Sequence, residues 1–177
     1  MLICVMGASG VGKDALISGA KASLAGDPGF AFPEREITKP PGTPGEPFTP
    51  VDEPTFERKE LAGDYALSWR AHGYRYGVPI ATAAQALAGK RVVVNVSRSV
   101  TDQIRARFPE HRIVLVVARR DVVEARLRAR GRESEAEIAE RLAAFDAYDI
   151  SGEDVVVVRN DGPLDAAVAA FLAAVRS

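Results

Sequence analysis

A glycine-rich segment near the start of the chain has the composition and spacing of a phosphate-binding loop. Residues 7–13 read Gly-Ala-Ser-Gly-Val-Gly-Lys and directly follow the apolar run 2–6. Glycines let the backbone turn tightly so that its N–H groups converge on phosphate oxygens, and a helix that starts there adds the positive end of its dipole. The pattern predicts that a nucleoside triphosphate contacts Gly7, Ala8, Ser9, Gly10, Val11, Gly12 and Lys13, with Lys13 at the β- and γ-phosphates. The alternative is a glycine turn beside a surface lysine.

Asp14 follows the lysine of this loop, where the common form of the loop has a Ser or Thr. The hydroxyl group that usually binds Mg²⁺ is therefore missing from this position. Two interpretations stay open from the residues alone. Asp14 is either an acid of the first helical turn, which the helix dipole favours, or a ligand of Mg²⁺ that acts directly or through water.

Arginines cluster around a glycine in the second half of the chain, where phosphoryl-transfer enzymes need positive charge. Phosphoryl transfer spreads negative charge over the migrating group, and arginines on a closing segment can neutralise it. Gly131 offers a hinge, and the cluster consists of Arg126, Arg128, Arg130, Arg132 and, further along, Arg141. This pattern favours a lid over about 126–141. The alternative is a solvated basic face that pairs with neighbouring glutamates.

Polar and aromatic residues also gather in the segment 65–78, which contains Arg70, His72 and Arg75 beside two glycines. The segment could form a pocket for the phosphoryl acceptor, or an ordinary half-buried sheet in which the aromatic rings pack. His72 by itself indicates a structural residue rather than a base.

Two predicted strand ends carry polar residues at the sheet edge where α/β proteins bind ligands. The strand 92–96 offers Asn95 and then Ser97, with no carboxylate, although P-loop enzymes often place an aspartate there. Asn160-Asp161-Gly162 follows the last strand, a natural position for a loop that contacts a nucleotide base. A plain turn is the alternative there.

These motifs lie at junctions between strands and helices that alternate along the chain. The apolar patterns predict strands over 2–6, 32–37, 92–96, 113–117 and 155–158, and helices from the loop to about 24 and over 52–61, 80–87, 100–108, 121–130, 134–148 and 164–175. Segment 39–50 is rich in Pro and Gly and is predicted as a loop, and segment 65–78 is predicted as short antiparallel strands.

This order predicts an α/β fold, with a parallel sheet of about five strands and helices on both faces. The irregular stretch of about 34–78 interrupts the order and is too long for a connection. We therefore expect one domain with a core of 1–33 and 79–177, a substrate-binding insert and the lid.

Composition and charge narrow the class of protein. The 177 residues fit one domain, 47% are hydrophobic, and the formal net charge of −1 indicates neither nucleic-acid nor membrane binding. Cys4 is the single cysteine, which argues against a disulfide framework and fits a reducing compartment. Residues 2–6 are too short for a signal-peptide core, and no stretch reaches transmembrane length, so we expect a cytoplasmic protein. The sequence indicates no oligomeric state.

Taken together, the motifs resemble the guanylate-kinase-like proteins over nearly the whole chain. Residues 66–69 with 74–77 are similar to that family's acceptor segment, and residues 126–131 with Ile138 and Arg141 are similar to its lid. Five positions depart from the family. Ser68 occupies the position of the family's guanine-reading glutamate, and Arg75 that of a second tyrosine. Asn95 and Ser97 occupy the positions of its acidic strand end, and Asp14 that of the loop hydroxyl. The comparison therefore implies that the residues for guanine recognition are missing.

A more specific resemblance is to the ribose 1,5-bisphosphate phosphokinases, the guanylate-kinase relatives of phosphonate catabolism. Gly-Lys-Asp at 12–14, Ala-Leu-Ser-Trp at 66–69, Tyr-Gly-Val at 76–78 and Val-Val-Asn at 93–95 are similar to that family, as are 97–98, 130–133 and 160–162. The resemblance implies a P-loop NTPase fold and a kinase that uses ATP and Mg²⁺. It implies transfer to the 1-phosphate of ribose 1,5-bisphosphate, with the 5-phosphate as a handle and 5-phosphoribosyl 1-diphosphate (PRPP) as product.

The resemblance also suggests roles for single residues. Lys13, Arg130 and Arg141 are the expected catalytic residues, and Arg126 and Asn160 join the loop and Asp14 in binding the nucleotide. The acceptor candidates are Arg35, Lys39, Ser68, Trp69, Arg75, Tyr76, Asn95 and Arg98. One rival is a nucleoside-monophosphate kinase, which Ser68 argues against. Another is a non-catalytic guanylate-kinase-like binding module, which the retained Lys13, Arg130 and Arg141 argue against.

Overall fold

The computed structural model describes residues 1–43, 46–131, 134–143, 145 and 149–177. Within these residues the strands are β1 (Leu2–Met6), β2 (Phe30–Ala31), β3 (Arg35–Ile37), β4 (Phe48–Pro50), β5 (Tyr65–Ala71), β6 (Tyr74–Pro79), β7 (Arg91–Asn95), β8 (His111–Val117) and β9 (Val155–Arg159). The helices are α1 (Lys13–Ser23), α2 (Glu53–Leu61), α3 (Ile80–Leu87), α4 (Thr101–Arg107), α5 (Arg120–Arg130), α6 (Glu135–Ala143) and α7 (Leu164–Arg176). A short 3₁₀ turn at Arg98–Val100 precedes α4.

A five-stranded sheet has the order β2-β7-β1-β8-β9 and contains four of the five predicted strands, those near 2–6, 92–96, 113–117 and 155–158. Its registers are parallel, with Phe30 opposite Arg91 and Ile113 opposite Val155. Every residue of β1 is buried, which explains why this central strand is apolar throughout rather than alternating. The predicted α/β fold with a parallel sheet of about five strands is confirmed.

The predicted insert contains a second sheet of four strands in the order β4-β3-β6-β5. Strands β5 and β6 form the expected antiparallel hairpin, with Trp69 opposite Tyr76. His72 and Gly73 make its turn with φ values of 51° and 77°, the left-handed conformation that tight hairpins require. His72 therefore has the structural position that the sequence indicated. Helix α2 follows β4 and is capped by Asp52, whose side chain accepts from the N–H of Thr55 at 2.7 Å.

Two predictions in this region are wrong. The strand expected over 32–37 begins only at Arg35, and Phe30–Ala31 forms a separate strand in the other sheet. Pro33 lies between the two strands and cannot donate a backbone hydrogen bond. The predicted loop 39–50 ends in a strand, since Phe48–Pro50 pairs in parallel with β3. It is a short edge strand, where proline is tolerated.

The helix predicted over 134–148 begins as expected and ends at Ala143. Ser134 and Glu137 form the predicted capping box, because the Ser134 N–H donates to Glu137 Oε2 at 2.8 Å and the Glu137 N–H donates to Ser134 Oγ at 3.3 Å. Ala144 and residues 146–148, onto which the prediction extends, lie outside the described residues.

The chain divides into two compact units. The first, Met1–Cys4 with Gly26–His111, holds the four-stranded sheet and a core that includes Phe56, Leu67 and Ile104. The second, Val5–Ala25 with Arg112–Ser177, holds the glycine-rich loop, and its helices α1 and α7 pack together. Cys4 is fully buried in β1, and burial raises the pKa of its thiol. None of the helices in the described ranges has the length and apolar run of a membrane span.

Candidate active site

The glycine-rich loop connects β1 to α1 in the second unit, and its glycines have conformations that other residues rarely adopt. Gly10 and Gly12 have φ values of 87° and 93°, and Gly12 caps the start of α1. A Cβ atom on Gly7 would lie 2.3 Å from the carbonyl oxygen of Val116 in β8. The tight curl of the loop therefore requires glycine for two reasons, positive φ values and close approach to a neighbouring strand.

Lys13 is the first residue of α1, and its side chain folds over the loop. Its ammonium group donates to the carbonyl oxygens of Gly7 at 2.9 Å and Ala8 at 3.0 Å. These contacts place a positive charge above the loop whose N–H groups lie at a helix N-terminus. The combination suits the binding of an anion such as a triphosphate.

Asn160 lies against the loop from the end of β9. It is 2% exposed, and its Nδ2 donates to the carbonyl oxygen of Val11 at 2.8 Å. Its own N–H donates to the carbonyl oxygen of Val117, which ties the residue to β8. A Cβ atom on Gly12 would lie 2.3 Å from that Nδ2 and 3.9 Å from Nη1 of Arg126. The structure therefore brings two predicted nucleotide-binding residues to Gly12.

Both of these residues carry a buried polar atom that has no hydrogen-bond partner among the described residues. The atoms are Oδ1 of Asn160 and Nη1 of Arg126, one an acceptor and the other a donor. Buried polar atoms are rarely left unpaired in folded proteins. The pair marks the surroundings of Gly12 as a place where a ligand could supply the missing partners. The neighbouring Asp161 has a structural contact, since its Oδ1 accepts from the N–H of Arg119 at 2.5 Å.

The predicted lid, about 126–141, includes the end of α5, Gly131 and most of α6, all in the same unit. Gly131 has a φ of 60° and ends α5 in the left-handed conformation. Arg141 on α6 donates from Nη1 to the hydroxyl of Ser9 at 2.5 Å, which brings a predicted catalytic arginine onto the phosphate-binding loop. Arg130 is exposed at the end of α5. Arg132, which belongs to the predicted cluster, lies outside the described residues.

Arg128 fits the alternative interpretation of the arginine cluster, a solvated face paired with glutamates. It contacts Glu124 at 2.8 Å and Glu135 at 3.1 Å, and so links α5 to α6. Both contacts are exposed. A hydrogen bond from Arg128 lowers the pKa of Glu135, as hydrogen bonds from Ser134 lower that of Glu137. The cluster therefore contains a structural residue, Arg128, and two residues that lie at the loop, Arg126 and Arg141.

Several acceptor candidates gather on one face of the four-stranded sheet in the first unit. The rings of Trp69 and Tyr76 stack with centroids 5.4 Å apart. Arg35 and Lys39 lie near the Tyr76 ring, with Cζ 5.5 Å and Nζ 5.8 Å from its centroid, and Lys39 also lies 5.4 Å from the ring of Tyr74. Two cations beside a pair of stacked rings form a surface that can bind an anionic sugar.

The structure does not bring Ser68 and Arg75 to that face. Adjacent strand residues point to opposite sides of a sheet, so Arg75 lies on the side opposite Tyr76. There Arg75 pairs with Glu60 and lies 3.6 Å from Glu53, and Ser68 donates to Glu60 at 2.7 Å. Both residues attach α2 to the sheet in this structure.

The same side carries a second network that sequence reasoning did not identify. Glu36 accepts from Lys59 at 2.6 Å and from the hydroxyl of Tyr65 at 2.6 Å. Burial, and then the hydrogen bond to Glu36, raise the pKa of Tyr65 above its usual range. These residues hold α2 against the insert sheet.

Glu46 is a polar residue of the predicted acceptor region that the sequence did not lead us to single out. It accepts hydrogen bonds from Arg35 at 3.0 Å and from Asn95 at 2.6 Å. The sequence did contain a signal, because Glu46 is the only acid between Glu36 and Asp52.

Two further predicted site residues lie at the starts of helical segments. Arg98 begins the 3₁₀ turn that follows β7, and Asp14 is exposed in the first turn of α1.

Comparison with curated proteins gives relatives over nearly all of the chain. It is 41% identical over 172 residues to the ribose 1,5-bisphosphate phosphokinase PhnN of Brucella melitensis, a match that covers 96% of this chain and 88% of that protein. It is 44% identical over 162 residues to the protein of the same name from Pseudofrankia inefficax, covering 92% of this chain and 83% of that one. The bifunctional ribose 1,5-bisphosphokinase-thymidine phosphorylase of Cupriavidus necator is 40% identical over 173 residues, and the match spans 28% of that longer protein and 98% of this chain. No protein-family model matches the chain.

Solved structures with the same fold include two kinases. A guanylate kinase from Anaplasma phagocytophilum superposes with a TM-score of 0.65 at 15% identity, covering 99% of this chain and 84% of that one. A gluconokinase from Sinorhizobium meliloti superposes with a TM-score of 0.52 at 23% identity, covering 98% of this chain and 90% of that one. At these identities the likeness shows the fold, and it agrees with the predicted α/β architecture.

Proposed function

The chain belongs to the ribose 1,5-bisphosphate phosphokinase family, and we propose that it transfers the γ-phosphoryl group of ATP to the 1-phosphate of ribose 1,5-bisphosphate. The product is PRPP, and the 5-phosphate remains as a handle. The observation that carries the proposal is the 41% identity over 172 residues with a protein of that name, a match that spans 88% of that protein. The glycine-rich loop, Lys13 and Arg141 support it.

In the proposed reaction an oxygen of the 1-phosphate bonds to the γ-phosphorus as the bond to the β–γ bridging oxygen breaks, and ADP leaves with that oxygen. A phosphate monoester is already ionised at neutral pH, because its second pKa is about 6. No side chain therefore has to remove a proton. Catalysis consists of positioning and charge stabilisation, which suits a set of N–H groups, a lysine and arginines.

On the donor side, the N–H groups of residues 8–13 and the ammonium of Lys13 would hold the β- and γ-phosphates. Arg141 would neutralise charge on the transferring group, supported by its contact with Ser9 of the loop. Arg130 is assigned the same role from its place beside the Gly131 hinge. Arg126 and Asn160 would contact the nucleotide, supported by the unpartnered atoms that they place near Gly12.

The residues present suit Mg²⁺ bound together with ATP, although they provide few protein ligands. The described residues contain no group of three or more His, Cys, Asp or Glu side chains that could hold a metal ion alone. Asp14 is an exposed carboxylate directly after Lys13, and Mg²⁺ often uses one carboxylate, waters and substrate phosphates. We assign Asp14 to that role, directly or through water. When bound, Mg²⁺ offsets negative charge on the β- and γ-phosphates.

On the acceptor side, Arg35 and Lys39 would bind phosphate groups, and the stacked Trp69 and Tyr76 would contact the sugar. Asn95 and Arg98, at the end of β7, would complete this set. Ser68 and Arg75 stay predictions, since in this structure they contact Glu60 instead.

A comparison of acceptors tests the proposal. The purified protein would be assayed with ATP and Mg²⁺, and ADP formation measured with ribose 1,5-bisphosphate, with GMP and with no acceptor. We expect ADP formation that depends on ribose 1,5-bisphosphate and little activity on GMP. Turnover of GMP without turnover of the sugar bisphosphate would contradict the proposal and favour a nucleoside-monophosphate kinase. No ATP binding in calorimetry would favour a non-catalytic binding module.

A further inference from the structure

Glu46 joins two residues of the proposed acceptor site. Its Oε2 accepts from Nη2 of Arg35 at 3.0 Å and from Nδ2 of Asn95 at 2.6 Å. The side chains of Arg35 and Glu46 are 12% and 17% exposed, and Asn95 is 7% exposed. One carboxylate oxygen therefore links β3 of the insert sheet to the end of β7 in a largely buried cluster.

The contact also sets the orientation of the Arg35 guanidinium. The five donors of an arginine form a rigid planar fork, so a bond at one nitrogen and a ring against the plane together determine where the other N–H groups point. Glu46 holds Nη2, and the Tyr76 ring lies 5.5 Å from Cζ. The Nε of Arg35 is buried and has no hydrogen-bond partner in the described part of the chain. Arg35 is thus held in one orientation, with its Nε–H donor not used by the described residues.

The charge of Glu46 needs an explanation, because the proposed acceptor carries two phosphates with roughly three to four negative charges in total. A carboxylate beside such a ligand would repel it unless the carboxylate were already neutralised. The buried contact with Arg35 neutralises it, and the bond from Asn95 stabilises the ionised form. The geometry therefore favours a carboxylate that organises cationic and amide groups rather than one that touches the substrate.

We propose that Glu46 is a positioning residue of the acceptor site, acting on ribose 1,5-bisphosphate through Arg35 and Asn95. The inference rests on the proposed function and deepens it, because it names a residue that the acceptor site needs and that makes no substrate contact itself. The expected signature is a loss of acceptor affinity with no loss of ATP affinity.

The test is Glu46→Gln, in which the side chain keeps its size but loses its charge, so that a neutral amide oxygen replaces the charged oxygen that both donors contact. We expect the KM for ribose 1,5-bisphosphate to rise about tenfold to a hundredfold, the range for losing a hydrogen bond to a charged group. The KM for ATP stays at the wild-type value. In an Arg35→Ala background, Glu46→Gln adds little further loss, because the residue acts largely through Arg35.

Glu36→Gln is the matched control. Glu36 neighbours Arg35 in β3, its side chain is 13% exposed, and it accepts from Lys59 and Tyr65 on the other side of the sheet. The Glu36→Gln substitution should lower the melting temperature and leave the KM for ribose 1,5-bisphosphate unchanged. If Glu46→Gln does not melt cooperatively, Glu46→Asp keeps the charge on a shorter side chain and should raise the acceptor KM with the ATP KM unchanged.

The outcomes separate this inference from the proposed function. A wild-type protein that neither binds nor phosphorylates ribose 1,5-bisphosphate overturns both. A wild-type protein that phosphorylates it, with an unchanged acceptor KM in Glu46→Gln, overturns the inference and leaves the function standing. Equal rises in both KM values, or a rise of the acceptor KM in Glu36→Gln as well, would show that Glu46 only supports the fold and would also overturn the inference.

Discussion

Replacing Gly12 with alanine perturbs the phosphate-binding loop at a point whose surroundings the structure defines closely. Gly12 has a φ of 93°, and an added Cβ would lie 2.3 Å from Nδ2 of Asn160. Atoms cannot stay that close, so the Asn160 amide must move. That movement breaks its 2.8 Å hydrogen bond to the carbonyl oxygen of Val11. The change therefore acts through backbone strain and through the loss of a buried hydrogen bond.

The two contributions can be separated. A left-handed backbone costs a residue other than glycine about 1–2 kcal/mol. Loss of the bond leaves a buried amide and a buried carbonyl unpaired, at a cost of about 1–3 kcal/mol, since Asn160 is 2% and Val11 1% exposed. The expected loss in the free energy of unfolding is thus about 2–5 kcal/mol. Alanine also lowers the conformational entropy of the unfolded chain, which offsets a small part of this loss.

Gly26→Ala is the matched control for the backbone contribution. Gly26 follows the other end of α1, has a φ of 87°, and would place its Cβ in open space. Urea unfolding of both variants should show a larger loss for Gly12→Ala, by about 1–3 kcal/mol. Calorimetric titration should show weaker ATP binding in Gly12→Ala and unchanged binding in Gly26→Ala.

A rescue experiment completes this test. Asn160→Ala removes the atom against which the new Cβ would press, so adding Gly12→Ala to it should cost only the backbone contribution. Equal stability losses in Gly12→Ala and Gly26→Ala, with equal ATP affinity, would refute the assignment of Asn160 as the support of the loop.

The other predictions concern the charged residues around the loop and one helix cap. Lys13→Ala should lower kcat by about 10²–10³ in steady-state assays with the fold intact by circular dichroism, and near-normal turnover would contradict its role at the phosphates. Asp14→Asn should raise the Mg²⁺ concentration needed for half-maximal rate more than it raises the KM for the acceptor, and Asp14→Ser should restore part of the loss; an unchanged Mg²⁺ dependence would leave Asp14 as a helix-terminal acid. Hydrogen bonds from the side chain and N–H of Thr55 lower the pKa of Asp52 below its ordinary value of 3.8, so its stabilising effect is complete above that pH and is lost as the pH falls through the lowered value. Urea unfolding across this acidic range should therefore show a smaller pH dependence for Asp52→Asn than for the wild type.

Much of the donor side could be predicted from local sequence because its features are local. The glycine spacing, the apolar run before it and the helix after it occupy one continuous stretch, which the structure forms as β1, the loop and α1. The capping box at Ser134 and Glu137 is also local and was found. The contact of Arg141 with Ser9 joins residues far apart in the chain, so the arginine cluster and the resemblance indicated Arg141 but not its partner.

The acceptor side was harder to predict because its contacts depend on tertiary structure. Glu46 and Asn95 meet although 49 positions separate them, and the Pro-rich segment around Glu46 gave no periodic signal. Arg75 illustrates a different limit. Its residue type suggested phosphate binding, but strand alternation places Arg75 on the face of the sheet that Tyr76 does not share, and there it pairs with Glu60. Residue type therefore identified candidate chemistry, and the side of the strand determined which residues share a surface.

The central claim is that the acceptor is the 1-phosphate of a sugar bisphosphate, and phosphorus NMR of the reaction products tests it most directly. With ATP, Mg²⁺ and ribose 1,5-bisphosphate, we predict a new diphosphate with two coupled phosphorus signals beside an unchanged 5-phosphate monoester signal. ADP should appear in equal amount. Three results would each contradict the account. They are coupled signals at the 5-position, inorganic phosphate with ADP and no new diphosphate, and conversion of GMP to GDP with no reaction of the sugar bisphosphate.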